Sequence, residues 1–338
     1  MFENFKNHRR LTGACLGVML VGCSRYPLGA PIAPLGPVPQ TRLHQPLGRS
    51  WMSPAASKHD LLYVNDGESN VYVYTYPQGQ LVGTLTGFSS PTGECVDHAG
   101  DVFITAASEE SGSGVIYEYA HGGTTPIETL GDSDPAFGCA VDPRSGNLAV
   151  TGGGVAIYQH ARGKPVVYDG SEPTYFCGYD NQGDLYLSVI DDSHLDQEDL
   201  SMLAKGGKTL KQISLSVPLY ATLPLPSSVQ WDGTYITASS ASQNVGVGYD
   251  GPISLYRLHI SKDSASVVGT ATLSSKKNAR RTGQIWIQGK RVLGSDYNRH
   301  SGGVDSWSYP DARKARSIVP NSGEVDPVGI AVSLAVSQ

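Results

Sequence analysis

The sequence has few of the Ala, Glu, Lys and Leu runs that build long helices, and this shortage argues against an all-α protein. Only 17% of its 338 residues are charged, and a net charge of −6 gives no electrostatic basis for nucleic-acid binding. The chain does contain 40 glycines, 21 prolines and 18 tyrosines. A hydrophobic content of 39% is enough to bury a core, so global disorder is excluded as well.

The N-terminus has the pattern of an export signal. The apolar run 11–22 follows three cationic residues and is too short to span a bilayer. Its last residues and the next one, Leu-Val-Gly-Cys at 20–23, resemble the bacterial lipobox, in which the cysteine is lipidated and becomes the first mature residue. We therefore expect a lipoprotein signal peptide over 1–22 and lipidation at Cys23. The alternative is an ordinary signal peptide that contains this cysteine by chance.

Residues 23–57 are predicted to consist of the lipidated cysteine and a proline-rich tether that follows it. Prolines recur through this segment without regular apolar spacing, which favours extended polyproline conformations. We expect a protein of the bacterial cell envelope, lipid-anchored on the extracytoplasmic side, with the membrane as one partner.

From residue 58 to 338 the sequence repeats. Pairs of short apolar strands joined by Asp/Gly/Asn turns occur at 93–105, 138–151, 176–188, 228–237 and 284–293, with a half copy at 329–333. A second hairpin follows each pair, and its first strands are predicted at 71–76, 115–119, 155–158, 202–204, 253–257 and 304–309. Four antiparallel strands in each of six units predict an all-β fold, a six-bladed β-propeller.

The two ends of the repeat are complementary. Residues 58–65 form a second strand that lacks its first, and residues 329–336 form a first strand that lacks its second. Pairing them would close the ring and cover two open strand edges.

The repeat resembles the NHL and SMP-30-like propeller superfamily over residues 58–338, and is similar to uncharacterised bacterial lipoproteins within it. The resemblance is carried by a proline before the first strands, a glycine within them and an aspartate at their ends: Pro91, Pro135, Pro173, Pro226 and Pro327; Gly93, Gly138 and Gly329; Asp97, Asp142, Asp180 and Asp232. It implies the propeller fold. SMP-30-like lactonases place Glu, Asn and Asp around an axial metal, and those positions have no one-to-one match here.

Acidic residues gather in the loops that join second to third strands. The densest group includes Asp191, Asp192 and His194, and basic residues such as Arg162 and Lys205 fall in the tight turns of the opposite face. An acidic rim would attract cations or basic partners, whereas the alternative is a surface kept soluble by its carboxylates. The group lacks EF-hand spacing, there is no Cys-x-x-Cys pair and the histidines lack zinc-site spacing, so no metal site is assigned.

Glu94 and three cysteines stand in the predicted first strands. When the first strands are aligned on their turn aspartates, Glu94 occupies the same position as Cys139 and Cys177. It is the one carboxylate at a position that is otherwise apolar. It would either face the central channel, as a ligand or base, or belong to a structural pair. Cys95, Cys139 and Cys177 are expected to be small buried core residues, too far apart on different blades for a disulfide.

These features predict a binding or scaffold module that uses its acidic loop face toward an unknown protein, small-molecule or carbohydrate ligand. The alternative is a metal-dependent propeller hydrolase or lyase, of lactonase type, with a divalent cation as cofactor. Such an enzyme needs three or four Asp, Glu, Asn or His side chains that converge at the channel mouth.

Overall fold

A computed structural model describes residues 49–107, 113–132, 134–170, 172–190, 197–220, 227–241, 252–274, 283–296, 302–313, 315–319 and 327–335. Apart from two short 3-10 turns, Ala56–Lys58 and Gln159–Ala161, the regular structure of these residues is β-strand. In chain order the strands are β1 Trp51–Met52, β2 Leu61–Asn65, β3 Asn70–Thr75, β4 Leu81–Thr86, β5 Pro91–Val96, β6 Val102–Ala107, β7 Gly114–Tyr119, β8 Glu128–Asp132, β9 Cys139–Val141, β10 Leu148–Thr151, β11 Gly154–Tyr158, β12 Val166–Asp169, β13 Thr174–Tyr179, β14 Leu185–Ile190, β15 Gln197–Leu203, β16 Lys211–Leu215, β17 Leu219–Tyr220, β18 Val229–Trp231, β19 Ile236–Ser240, β20 Ile253–Ser261, β21 Ser264–Leu273, β22 Ile285–Gln288, β23 Arg291–Asp296, β24 Gly303–Ser308, β25 Arg316–Val319 and β26 Ile330–Ser333. Within this described part of the chain, no helix is long and apolar enough to cross a membrane.

The strands form antiparallel sheets in sequence order. Three sheets have four strands each, β5–β8, β9–β12 and β22–β25. A nine-stranded sheet contains two such four-strand units, β13–β16 and β18–β21, whose outer strands β16 and β21 pair in parallel, while β17 adds to β15. The prediction of an all-β repeat of four-stranded hairpin pairs is therefore confirmed, and β3, β7, β11, β15, β20 and β24 overlap the six predicted third strands.

The arrangement is propeller-like, because the first strands of the units contact one another in cyclic order. That order is β26, β5, β9, β13, β18, β22 and back to β26. The hydrophobic core lies between consecutive sheets. One cluster, for example, packs Phe103 and Ile116 of one sheet against Leu148 and Tyr158 of the next.

The last sheet is built from both ends of this ring. Its strand order is β1-β4-β3-β2-β26, and β26 pairs with β2 from Leu61↔Ser333 to Val64↔Ile330, as the sequence predicts. Ser333 Oγ donates to the Gly100 carbonyl of the next sheet at 2.6 Å and lies 2.7 Å from His121 Nδ1. On the outer edge, β1 pairs with β4, so this sheet includes residues that the sequence assigns to the tether.

The repeated aspartates form the turns between first and second strands. Asp97 Oδ1 accepts hydrogen bonds from the backbone N–H groups of Ala99 and Asp101, both at 2.9 Å. Asp180 Oδ1 accepts in the same way two and four residues further on, and Asp142 and Asp232 also accept from the second residue of their turns. A short carboxylate that bonds its own turn fixes a hairpin. The aspartates are therefore structural, which explains their regular spacing.

One sequence prediction about the cysteines is wrong. Cys95 of β5 and Cys139 of β9 form a disulfide with a Cα–Cα distance of 5.6 Å, while Cys177 is a free, buried thiol. First strands of consecutive sheets converge on the axis, so they approach as closely as a disulfide requires. Cys95 stands one place later than Cys139 relative to the turn aspartates, and side chains alternate along a strand. That offset makes the two thiols face each other.

Candidate functional site

A cavity of about 190 Å³ lies on the ring axis, at the end where tight turns join first to second strands. We call this end the turn face, defined by the turns 97–101, 142–147, 180–184, 232–235 and 288–291. Residues of β5, β9, β13, β18 and β22 line the cavity, including the Cys95–Cys139 disulfide and Cys177. The cavity therefore depends on the convergence of first strands that are far apart in sequence.

The lining of this axial cavity is aromatic and apolar with a few amides. Trp231 and Trp286 are half-buried at its rim, and Gln230 and Gln284 belong to its wall. Gln230 Oε1 accepts from the Ile287 N–H at 2.6 Å, so this amide bridges β18 and β22. An apolar pocket with a small number of fixed polar groups is the usual form of a small-ligand site.

Two further depressions adjoin the axial cavity on the turn face. A groove of about 450 Å³ shares Trp231 with it, and a smaller hollow of about 340 Å³ shares Trp286 and includes His98. The tryptophans thus stand between the axial cavity and its neighbours. Neither tryptophan is among the site residues predicted from the sequence, which were expected on the opposite face. The signal available was an aromatic residue at the end of a first strand, as in Trp231-Asp232.

Cys177 is close to the disulfide but is not a reactive group. Its side chain is buried, and burial raises the pKa of the thiol far above its usual value. The thiolate is the nucleophilic form of cysteine, so a raised pKa leaves it inert.

Glu94 does not line the axial cavity. It is fully buried in β5, where its side chain faces the preceding sheet, and Asn65 and the Ala331 N–H are its nearest donors. Neither donor reaches hydrogen-bonding geometry, so both carboxyl oxygens and Asn65 Nδ2 have no hydrogen-bond partner among the residues that the structure describes. Burial raises the pKa of Glu94 well above its usual value, although Asn65 and Ala331 lower it in part. A neutral carboxyl at this position costs less than a charged one.

The other sequence candidates are not placed. Cys23, Asp191, Asp192 and His194 lie outside the described residues, and their roles stay predictions. Of the loop-face acids that are described, Asp66 is engaged in structure: its Oδ1 accepts from the N–H groups of Glu68, Ser69 and Asn70 at 2.9 to 3.0 Å. Within the described ranges, no three His, Cys, Asp or Glu side chains come together as a set of metal ligands.

Glu198, at the start of β15, is a second buried carboxyl. Its two oxygens accept from the Ser227 N–H at 2.8 and 3.0 Å. Burial raises its pKa to about 7, and the Ser227 hydrogen bonds lower it only in part. This group therefore titrates near neutral pH in the folded protein.

Changing Glu198 to Gln is expected to remove a pH dependence of stability. The folded protein holds the Glu198 proton more tightly than the unfolded chain, whose carboxyl titrates near 4.5. Its contribution is fully present below about pH 4.5 and is lost as the pH rises through 7, by about 3 kcal/mol in total. Urea denaturation at pH 4, 6 and 8 measures this loss as a difference between the wild type and Glu198→Gln.

The matched control is Asp169→Asn, on the exposed outer strand β12. It should keep the loss of stability between pH 4 and pH 8, because Glu198 is unchanged. Parallel pH profiles for the wild type and Glu198→Gln would show that the carboxyl is not buried in this way.

Comparison with solved structures shows the fold alone. The chain is similar to a structure in a nidogen/laminin complex, with 14% identity over 82% of this chain and 99% of that one and a TM-score of 0.57. It is similarly close to a protein of unknown function from Bacteroides caccae, with 10% identity, 81% and 99% coverage and a TM-score of 0.56. Hydrazine synthase from Kuenenia stuttgartiensis gives 13% identity, 80% coverage of each chain and a TM-score of 0.50. No protein-family model matches the chain, and the curated proteins include no match.

Proposed function

We propose that this chain is an exported, lipid-anchored binding module whose ligand site is the mouth of the axial cavity on the turn face. The observation that carries the proposal is the pair of half-buried tryptophans, Trp231 and Trp286, at the rim of an apolar cavity. Aromatic residues with one accessible side supply large contact area at low entropic cost. The rim is built on first strands, so it is held rigidly before any ligand arrives.

The anchoring part of the proposal is supported by the sequence. The lipobox-like residues 20–23 and the proline-rich segment behind Cys23 are the pattern of a membrane-tethered extracytoplasmic protein. The acidic loop face, with Asp191, Asp192 and His194, belongs to the proposal as a second surface for a basic partner.

We further propose that the fold has six blades and belongs to the NHL and SMP-30-like superfamily. The nine-stranded sheet then consists of two blades, β13–β16 and β18–β21, whose outer strands β16 and β21 pair with each other. The cyclic contacts of six first strands support this count.

No specific observation favours the metal-dependent hydrolase or lyase. Among the described residues, the lining of the axial cavity contains no aspartate, glutamate or histidine, so it offers a divalent cation neither a carboxylate nor an imidazole ligand. Glu94, the carboxyl nearest to this role, points away into the core.

Tryptophan fluorescence tests the proposed site. Two of the four tryptophans stand at the rim, so a bound ligand should shift the emission spectrum. We expect at least one class in a panel of neutral oligosaccharides, short peptides and small aromatic compounds to shift it and to raise Tm. The shift should shrink in Trp286→Phe and persist in Trp51→Phe, the matched change on an outer edge strand.

The alternative makes the opposite prediction with the same protein. Zn²⁺ or Ca²⁺ added to protein purified without chelator would raise Tm only if a cation site is present. A cation-dependent rise in Tm, together with no response to the panel, would contradict the binding module.

A further inference from the structure

We propose that the groove of about 450 Å³ beside Trp231 is a binding site for a neutral oligosaccharide, an inference that rests on the proposed function and names its ligand class. The groove runs along the turn face between the two four-strand units of the nine-stranded sheet. Its size lies within the range of about 300 to 1,000 Å³ that is usual for ligand sites. Trp231 belongs to the lining of both the groove and the axial cavity, so the two adjoin at this side chain.

The groove contains an aromatic platform that is fixed in place. The Arg257 guanidinium lies 4.7 Å from the centroid of the Tyr235 ring. Arg257 Nε donates to Asp232 Oδ2 at 2.7 Å, and the Tyr309 hydroxyl donates to the same oxygen at 2.5 Å. A cation–π contact held by a partly buried ion pair restricts the ring. A restricted ring loses little entropy when a ligand stacks on it.

Polar side chains surround the aromatic residues. Asp180 and Asp184 line the groove, and hydrogen bonds hold both carboxylates in position. Asp180 Oδ1 accepts from the N–H groups of Gln182 and Asp184. Asp184 Oδ1 accepts from the Lys205 N–H at 2.7 Å. Asn181 and His259 are exposed at its edges. Carboxylates, an amide and an imidazole together accept and donate hydrogen bonds in several directions.

This combination matches the chemistry of a pyranose chain. A sugar ring has an apolar C–H face that packs on an aromatic ring and a rim of hydroxyls that need donors and acceptors. The carboxylates of Asp180 and Asp184 repel an anionic polymer, and Lys262, the one lysine among the described lining residues, does not balance their charge. A neutral oligosaccharide therefore fits better than a nucleotide, a phospholipid headgroup or a uronic-acid chain.

Calorimetric titration of the full chain tests the inference. The probes are the hexasaccharides of β-1,4-linked N-acetylglucosamine, β-1,4-linked glucose and α-1,4-linked glucose, with oligogalacturonate as the anionic comparison. We expect at least one neutral hexasaccharide to bind and oligogalacturonate to bind at least tenfold more weakly. Tyr235→Ala should weaken the neutral ligand at least tenfold, Tyr235→Phe should retain it because the ring remains, and Asn181→Ala should weaken it severalfold.

Control variants separate this inference from the proposed function. Trp51→Ala removes an exposed aromatic outside the groove and should bind like the wild type. Asn181→Ala changes an exposed side chain, so it keeps the test valid should Tyr235→Ala unfold. If saccharide binding survives Tyr235→Ala and Asn181→Ala but is lost in Trp286→Phe, the groove assignment fails and the axial site stands.

Two other results would overturn the inference. In the first, no neutral hexasaccharide gives heat at millimolar concentration, while a peptide or aromatic compound still shifts the tryptophan emission. The protein would then be a binding module without a saccharide site. Tighter binding of oligogalacturonate than of the neutral chains would reverse the assigned ligand class.

Discussion

Deletion of residues 329–338 is expected to abolish cooperative unfolding of the folded part. The deletion removes β26, whose four residues are all at most 2% exposed. Ile330 and Val332 pack against Leu62, Val64 and Leu293, and thereby join the last two sheets. Burying two such side chains stabilises by about 3 to 6 kcal/mol, and the backbone bonds to β2 add to it. A typical domain has only about 5 to 15 kcal/mol in total.

The loss should exceed the sum of those contacts, because the ring would open. Without β26 the inner edge of β2 has no partner, and the contacts from β26 to β5 and to β22 disappear together. An open strand edge at the axis also favours aggregation. Circular dichroism during thermal and urea unfolding should show a broad, shallow transition for the truncated chain.

The matched control is deletion of β1, the strand at the opposite edge of the same sheet. Strand β1 pairs only on the outer side of β4, and Trp51 is 47% exposed. Its removal should shift the transition slightly and keep it cooperative. A chain without residues 329–338 that melts like the full protein would show that closure by β26 does not hold the ring together.

Removal of the Cys95–Cys139 disulfide should destabilise the protein by about 4 kcal/mol, the chain-entropy value for a closed loop of this length. The two cysteines are separated by 44 residues, so the link constrains the unfolded chain from β5 to β9. The comparison is Cys95→Ala/Cys139→Ala in a Cys177→Ala background against Cys177→Ala alone, by urea denaturation under oxidising conditions. The background prevents disulfide exchange with the third thiol.

A reducing agent provides the internal control for this prediction. It should lower the midpoint of the Cys177→Ala protein and leave the triple variant unchanged. Equal midpoints for the two proteins under oxidising conditions would mean that the bond does not form in the folded chain.

The strands could be predicted because their signals are local. The run Val-Ile-Tyr-Glu-Tyr at 115–119, rich in residues that favour strands, and the turn that follows specify β7 without reference to the rest of the chain. The aspartates of the turns act within four residues of themselves, as the bonds of Asp97 and Asp180 show. The pairing of β2 with β26 was also predictable, since an incomplete unit at each end of a repeat has one complementary partner.

The candidate site could not be predicted in the same way. The axial cavity is formed by five strands that are separated along the chain, and the groove depends on two units that share one sheet. The charged loops were the predicted site, whereas the axial cavity and the groove beside it are lined by Trp231, Trp286 and Tyr235. An aromatic residue at the end of a first strand, as in Trp231-Asp232, is a local signal, but only the assembled ring shows that it borders a cavity.

The cysteines and Glu94 show which features of this protein follow from the sequence alone and which depend on the tertiary structure. By itself the sequence determined an all-β repeat, its hairpin turns and the strands that close it, since these follow from alternation and turn chemistry over a few residues. Only the tertiary structure decided that Cys95 faces Cys139, that Cys177 stays free and that Glu94 faces the core. A one-residue offset moves a side chain to the other side of its strand. What the side chain then contacts depends on which strand of the assembled ring lies on that side.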